Sequence, residues 1–304
     1  MNGILLINKP EDFTSFDVIA KLKGILRFRK IGHGGTLDPM ATGVLPIFLG
    51  RAAKAVDILP SEQKRYIAKF QTGIRTDTLD ITGTITERAE PCLDKQKVLE
   101  IISQFIGDIS QTPPMYSAIR VNGARLYDLA RAGSVVERPK RDVTIESIDL
   151  IEADTQKGEY TIDVLCSKGT YIRTLCDDIG DMLGSYATIT SLQRTMSSGY
   201  KLEDCITLED VQRLMDNGEI DSVIKPVDTA FMQCDELVLD DKKAKLFLNG
   251  VKMRASQFNT SHINTENVRV YSKNREFLGL ASLNKKEDKL RIIKLFVLIA
   301  QPEQ

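Results

Sequence analysis

The chain contains no tryptophan, and only 6% of its 304 residues are aromatic. A carbohydrate-binding surface built on indole rings is therefore excluded, although Tyr and Phe remain available for stacking. Two histidines, His33 and His262, form neither an H-x-x-H nor an H-E-x-x-H pattern, so a zinc site of the usual ligand types is not expected. The five cysteines contain no C-x-x-C pair, and an odd number cannot pair completely into a disulfide framework. No segment reaches the roughly 18 consecutive apolar residues of a membrane span. The stretch from Met1 to Lys9 lacks the basic-then-apolar plan of a signal peptide. These absences lead us to expect a cytoplasmic protein with no membrane segment.

What the chain does contain is ordinary globular material, 42% hydrophobic and 27% charged. Its length exceeds what one hydrophobic core usually organises, which predicts more than one unit. The net charge of -1 conceals a strong segregation. Residues 1–70 hold eleven Lys/Arg against six acids, and residues 119–141 hold six against two. Residues 201–241 reverse this, with twelve acids against three basic residues. Such a distribution permits a basic face for phosphates beside an acidic flank. Chance segregation on solvated faces would produce the same counts.

Hydrophobic periodicity predicts a short strand over Ile4 to Ile7, then a helix from Thr14 to about Phe28, with Thr14 and Asp17 as a capping-box variant. Alternation predicts strands over Arg65 to Thr72 and Tyr160 to Cys166. Helices are expected over Asp94 to Ile106 and after Lys168-Gly169-Thr170, the latter ending at Gly184. Beyond the acidic stretch, short apolar runs at Val268 to Tyr271, Phe277 to Ala281 and Leu290 to Leu298 read as strands of a small β-rich unit. Without a regular βαβ period, the fold class is α+β around a mixed, largely antiparallel sheet.

Asp38 is the centre of chemical interest. It precedes Pro39 in a run with glycines at 32, 34, 35 and 43, where a substrate could approach its carboxylate. Asp-Pro is also an ordinary helix start, with Asp as N-cap, and the two roles are compatible. The run has neither G-x-x-x-x-G-K-[ST] nor G-x-G-x-x-G, so a nucleotide cofactor is not expected. His33 is either a proton carrier, a stacking ring or a plain surface residue. Tyr66 and Tyr171 are core or site residues, and Arg173 is a natural carboxylate partner. Read alone, these residues suggest a site without specifying a reaction.

The run Gly32-His33-Gly34-Gly35-Thr36-Leu37-Asp38-Pro39-Met40-Ala41-Thr42-Gly43-Val44-Leu45-Pro46 closely resembles the signature of the TruB family of tRNA pseudouridine synthases. Asn8-Lys9-Pro10 with Thr14-Ser15, Lys64-Arg65-Tyr66, Gly73 to Asp80, Pro114 to Ala118, Leu126 to Arg131 and Cys166 to Leu175 match in the family's order. The resemblance implies a pseudouridine synthase catalytic domain over 1–232 and a PUA-like RNA-binding domain over 233–304. The second rests on Leu248-Asn249-Gly250 and Phe277-Leu278-Gly279. It further implies isomerisation of uridine 55 in the TΨC loop of tRNA, without cofactor or metal, by a monomer that flips the target base out of its stack. Asp38 then corresponds to the catalytic carboxylate, paired with Arg173. Tyr66 would lie against the flipped base and assist proton transfer as a catalytic residue, Tyr171 and Leu192 would complete the pocket, and His33 would shape the vacated stack. Gly34 stands where many members have threonine, and Gln193 where many have a second arginine. An RNA-binding module with an incidental site and a nucleosidase acting through Asp38 are the rival functions. The first has no need of the buried carboxylate, and the second lacks an evident second acid.

Overall fold

A computed structural model describes residues 1–59, 63–117, 119–121, 124–131, 133 and 136–297. The first strand, β1 (Gly3–Lys9), leads into helix α1 (Ser15–Leu26). Thr14 caps that helix, its hydroxyl accepting from the Asp17 amide while Asp17 reaches back, and Val18, Ile19, Leu22, Ile25 and Leu26 form the buried face. A short strand, Ile31–His33, precedes the glycine loop and β2 (Thr42–Leu49). Next come β3 (Lys64–Thr72), α2 (Lys95–Ser103), β4 (Gly107–Gln111), β5 (Arg141–Asp154), β6 (Glu159–Cys166), α3 (Ile172–Leu183), β7 (Ala187–Ser197) and α4 (Leu208–Asp216).

These strands build one mixed sheet in the order β1-β2-β7-β3-β6-β5-β4, with the Ile31–His33 strand on β2. Every neighbouring pair along that path is antiparallel except β2 with β7. The parallel pair meets at Gly43, where a Cβ would stand 2.2 Å from the Arg194 carbonyl oxygen, so only glycine fits. One face of the central strands buries Ala68, Phe70, Tyr160, Ile162 and Ile189 beneath α3 and α2. At the other end of the sheet, Leu5, Ile7, Leu45 and Ile47 pack on α1 and on Leu208 and Val211 of α4. The acidic stretch therefore supplies part of the core on its apolar side.

A second sheet orders β8 (Asp235–Leu239), β9 (Asn267–Ser272), β10 (Phe277–Asn284) and β11 (Lys289–Leu295), with β8 parallel to β9 and the rest antiparallel. Helix α5 (Asp241–Leu248) packs Ala244 and Phe247 into its core. Phe231, Phe277 and Phe296, with ring centroids 5.5–6.3 Å apart, join this sheet to Val44 and Phe48 of β2.

The expected α+β class with a mixed sheet is what forms. Three local expectations need correction. Asp94 caps α2 but the helix stops at Ser103, with a turn at its end. Asp38 does not start a helix: its carbonyl accepts from the Ala41 amide at 3.1 Å in a single turn that feeds directly into β2. The C-terminal unit also contains β8 and α5, which the apolar runs did not reveal, because charged Asp and Lys residues interrupt them. Leu298, the end of the last predicted strand, and Ala118 of the matched motif lie outside the described residues.

Candidate active site

Asp38 sits on the loop between the Ile31–His33 strand and β2, and buried side chains hold that loop on both sides of it. Before Asp38, the Ser15 hydroxyl accepts from the Leu37 amide at 2.9 Å and faces the Leu37 carbonyl at 3.4 Å. After Asp38, Lys9 Nζ donates to the Pro39 carbonyl at 3.0 Å, and to Pro10 and Phe13 carbonyls at 2.7 and 2.6 Å. Arg194, fully buried, donates to the carbonyls of Gly35, Thr36 and Val44. Burial pulls the Lys9 ammonium down to about 8, against the opposing attraction of Asp38. An ammonium with three carbonyl acceptors is a structural clamp rather than a surface cation.

A cavity of about 340 Å³ opens beside this loop, lined by Asp38, Tyr66, Tyr171, Arg173 and Leu192 together with Thr36, Lys64 and Ser117. Five of the six expected site residues are thus brought together from four separate segments. The Asp38 side chain is 33% exposed toward it, while Arg173 behind it is 4% exposed. Arg173 Nε lies 2.9 Å from Asp38 Oδ2, an ionic contact whose angle is poor for a hydrogen bond. Its Nη1 donates to the Thr78 carbonyl at 2.8 Å and to Asp80 Oδ2 at 3.3 Å, and its Nη2 donates to the Tyr116 carbonyl at 2.8 Å. One guanidinium therefore serves two carboxylates and two carbonyls, a task for its rigid fork.

Tyr66, opposite Arg194 across β3 and β7, is buried, and desolvation raises its pKa while the Arg194 charge opposes less strongly. The buried phenol is therefore held in its neutral form, as a contact and hydrogen-bond donor at the cavity. Tyr171 caps α3, and burial raises its pKa as well. Gln111, 1% exposed, holds it by accepting from its amide at 3.0 Å and donating to its carbonyl at 3.3 Å. Leu192 of β7 is opposite Ala68 and supplies an apolar wall.

His33 is the one expected residue that does not line the cavity. It sits on the neighbouring short strand, opposite Ile47, with the Phe16 ring edge-on at 5.6 Å. Burial lowers its pKa and favours the neutral ring.

Sequence reasoning assigned no role to Asp80, Ser15, Lys9, Arg194 or Gln111. Asp80 had a local signal, because Thr78 and Thr82 flank it at two residues and both donate to Oδ1. Lys9 is a charge in an apolar strand. Gln111 carries no sequence signal, since its partner is sixty residues away.

Gly34 is explained by its neighbour. A Cβ there would stand 2.9 Å from Phe48 Cε2, so the larger ring in β2 occupies the space a threonine would need. Gln193 is half-buried beside the fully buried Arg194, which spends its donors on the loop.

Residues 23–172 match the TruB family pseudouridylate synthase N-terminal domain, 173–232 the tRNA pseudouridylate synthase B C-terminal domain, and 236–290 the pseudouridine synthase II TruB C-terminal region. The tRNA pseudouridine synthase B of Clostridium kluyveri is 42% identical over 98% of this chain and all of its own length. That of Alkaliphilus oremlandii is 40% identical over the full length of both. Among solved structures, an H/ACA RNP bound to a substrate RNA containing 2′-deoxyuridine includes a chain with a TM-score of 0.73 and 23% identity. The match covers 98% of this chain and 86% of that one, and it shows a common fold. A Cbf5-Nop10-Gar1 complex includes one with the same TM-score and 25% identity over 97% of this chain and 85% of that one. With the signature loop held at a buried Asp–Arg pair and relatives matching from end to end, this chain belongs to the TruB family of pseudouridine synthases and is an isomerase.

Proposed function

We propose that the chain converts uridine 55 in the TΨC loop of tRNA to pseudouridine. In the reaction the N1–C1′ bond breaks, uracil turns within the site, and a C5–C1′ bond forms; the C5 proton leaves and N1 takes one up. Asp38 is the catalytic carboxylate that opens this sequence at the sugar. Arg173 is its counter-charge and holds its direction. Tyr66 lies against the base, and Tyr171 and Leu192 close the pocket around it. A cavity of about 340 Å³ has the size of a small-molecule site and excludes a duplex, so the target nucleotide enters flipped. His33, outside the cavity, shapes the stack that the base vacates. In this reading residues 1–232 form the catalytic unit and 233–304 a PUA-like RNA-binding unit; the chain works as a monomer in the cytoplasm and needs neither metal nor cofactor.

The observation that carries the proposal is the partly exposed Asp38 carboxylate at the cavity, ion-paired to a buried arginine. The test is incubation of the purified chain, without added metal or nucleotide, with an unmodified tRNA transcript, followed by mapping of pseudouridine at single-nucleotide resolution. Conversion confined to position 55 is expected. Asp38→Asn should abolish it while tRNA affinity stays within about tenfold, because phosphate contacts supply most of the binding. Binding without conversion by the native chain would leave only an RNA-binding module, and free uracil would indicate a nucleosidase.

A further inference from the structure

Phe16 is 63% exposed, although it occupies the second position of a helix whose apolar stripe is otherwise buried. The core has no use for it, because Val18, Ile19, Leu22, Ile25 and Leu26 already cover the sheet. Its position relative to the site is nevertheless firmly set. The preceding residue, Ser15, is bonded to Leu37, the neighbour of Asp38. The Phe16 ring stands at 88° to the half-buried His33 ring, and Leu37, to which Ser15 is bonded, lines the Asp38 cavity. A lone exposed apolar side chain is ordinary on a protein surface; what sets this one apart is its aromatic contact with His33, at the start of the loop that carries Asp38. The chemistry that fits a bare ring face, next to a site that takes a nucleotide out of its stack, is another unpaired base seeking a stacking partner.

We propose that Phe16 is a stacking platform for a second unpaired nucleobase of the RNA substrate. The RNA loop is then held at two points, the target base beside Asp38 and a neighbouring base on Phe16. Recognition by a ring face depends on the presence of a base more than on its identity. This inference rests on the RNA-isomerase reading above.

The test uses the full chain, the native T-arm stem-loop and a set of stem-loops that each carry one abasic nucleotide in the loop. Phe16→Ala should weaken binding of the native stem-loop about tenfold, leave the single-turnover rate at saturating RNA within about threefold, and leave the melting temperature unchanged. Phe16→Tyr should restore affinity to within about twofold. One abasic position should weaken the wild type by the same factor as Phe16→Ala and have no further effect on that variant. Unchanged affinity in Phe16→Ala, or additive losses at every abasic position, would overturn the proposal while leaving the isomerase reading intact. Loss of self-association in Phe16→Ala with RNA affinity unchanged would instead assign the ring to a second copy of the chain. A wild-type chain that neither binds nor converts the RNA would remove both readings together.

Discussion

Replacing Arg173 with Met removes the cation that the structure sets between Asp38 and Asp80. The Asp80 side chain is 8% exposed and that of Arg173 4%, so the lost pair is a buried one. Breaking such a pair from one side costs about 3–5 kcal/mol, because the remaining charge stays desolvated without a partner. Two backbone carbonyls, those of Thr78 and Tyr116, lose their donor in the same step. If even the lower figure applies to the orientation of Asp38 in the transition state, the rate falls roughly 10²-fold or more, at about 1.4 kcal/mol per factor of ten. Arg173→Lys retains the charge but not the fork. It should recover stability partly and rate poorly, if geometry rather than charge alone is what the arginine supplies. The assay is single-turnover pseudouridine formation at saturating tRNA, so that binding divides out, with thermal melting in parallel. Arg173→Met combined with Asp80→Asn should melt higher than Arg173→Met alone, because the uncompensated carboxylate is gone. A single-turnover rate within threefold of wild type for Arg173→Met would refute the reasoning, as would full recovery of rate by lysine.

Gly34→Thr should destabilise the chain by about 1–3 kcal/mol through overlap with Phe48, and the added substitution Phe48→Leu should restore part of that; chemical denaturation of the three variants checks the coupling. Asp178, with its carboxyl pushed up to about 6 by burial and then by Asp177 and Asp181, favours its protonated form in the folded state. The stability it contributes is therefore present below the unfolded value near 4 and lost as pH rises through 6. Asp178→Asn should raise the melting temperature by roughly 2 °C at pH 7.5 and leave it unchanged at pH 4, and an equal effect at both would contradict this assignment. Affinity for tRNA should fall at least about tenfold between 50 and 200 mM salt, since even two phosphate contacts give that dependence, and a flat titration would exclude the basic face.

Much of the site could be read from residue type and spacing. Asp38 stood out because an acid among glycines before proline has few structural reasons to be there. Arg173 stood out as a cation two residues from a helix-starting tyrosine. The assignment of Tyr66 as an aid to proton transfer was less legible, because whether a phenol is a base depends on its surroundings. Here the phenol lies buried opposite Arg194, a surrounding that strand register sets. The position of His33 was not legible either. Its strand pairs with β2 at Ile47, which turns the ring toward Phe16, and no local pattern reports such a register.

The sequence by itself determined the local elements whose signals lie within one turn or one strand: the Thr14 capping box, the apolar stripe of α1, the alternation of β3 and β6, and the loop that breaks regular structure around Asp38. It also determined the family, because the signature loop and the ordered motifs occur nowhere by composition alone. Only the tertiary structure decided what holds Asp38 in place. Ser15, Lys9 and Arg194 converge on its loop from three elements, and Arg173 is shared with Asp80 across 93 residues of chain. Those contacts arise from sheet order and strand register, which bring together side chains that no spacing along the chain relates.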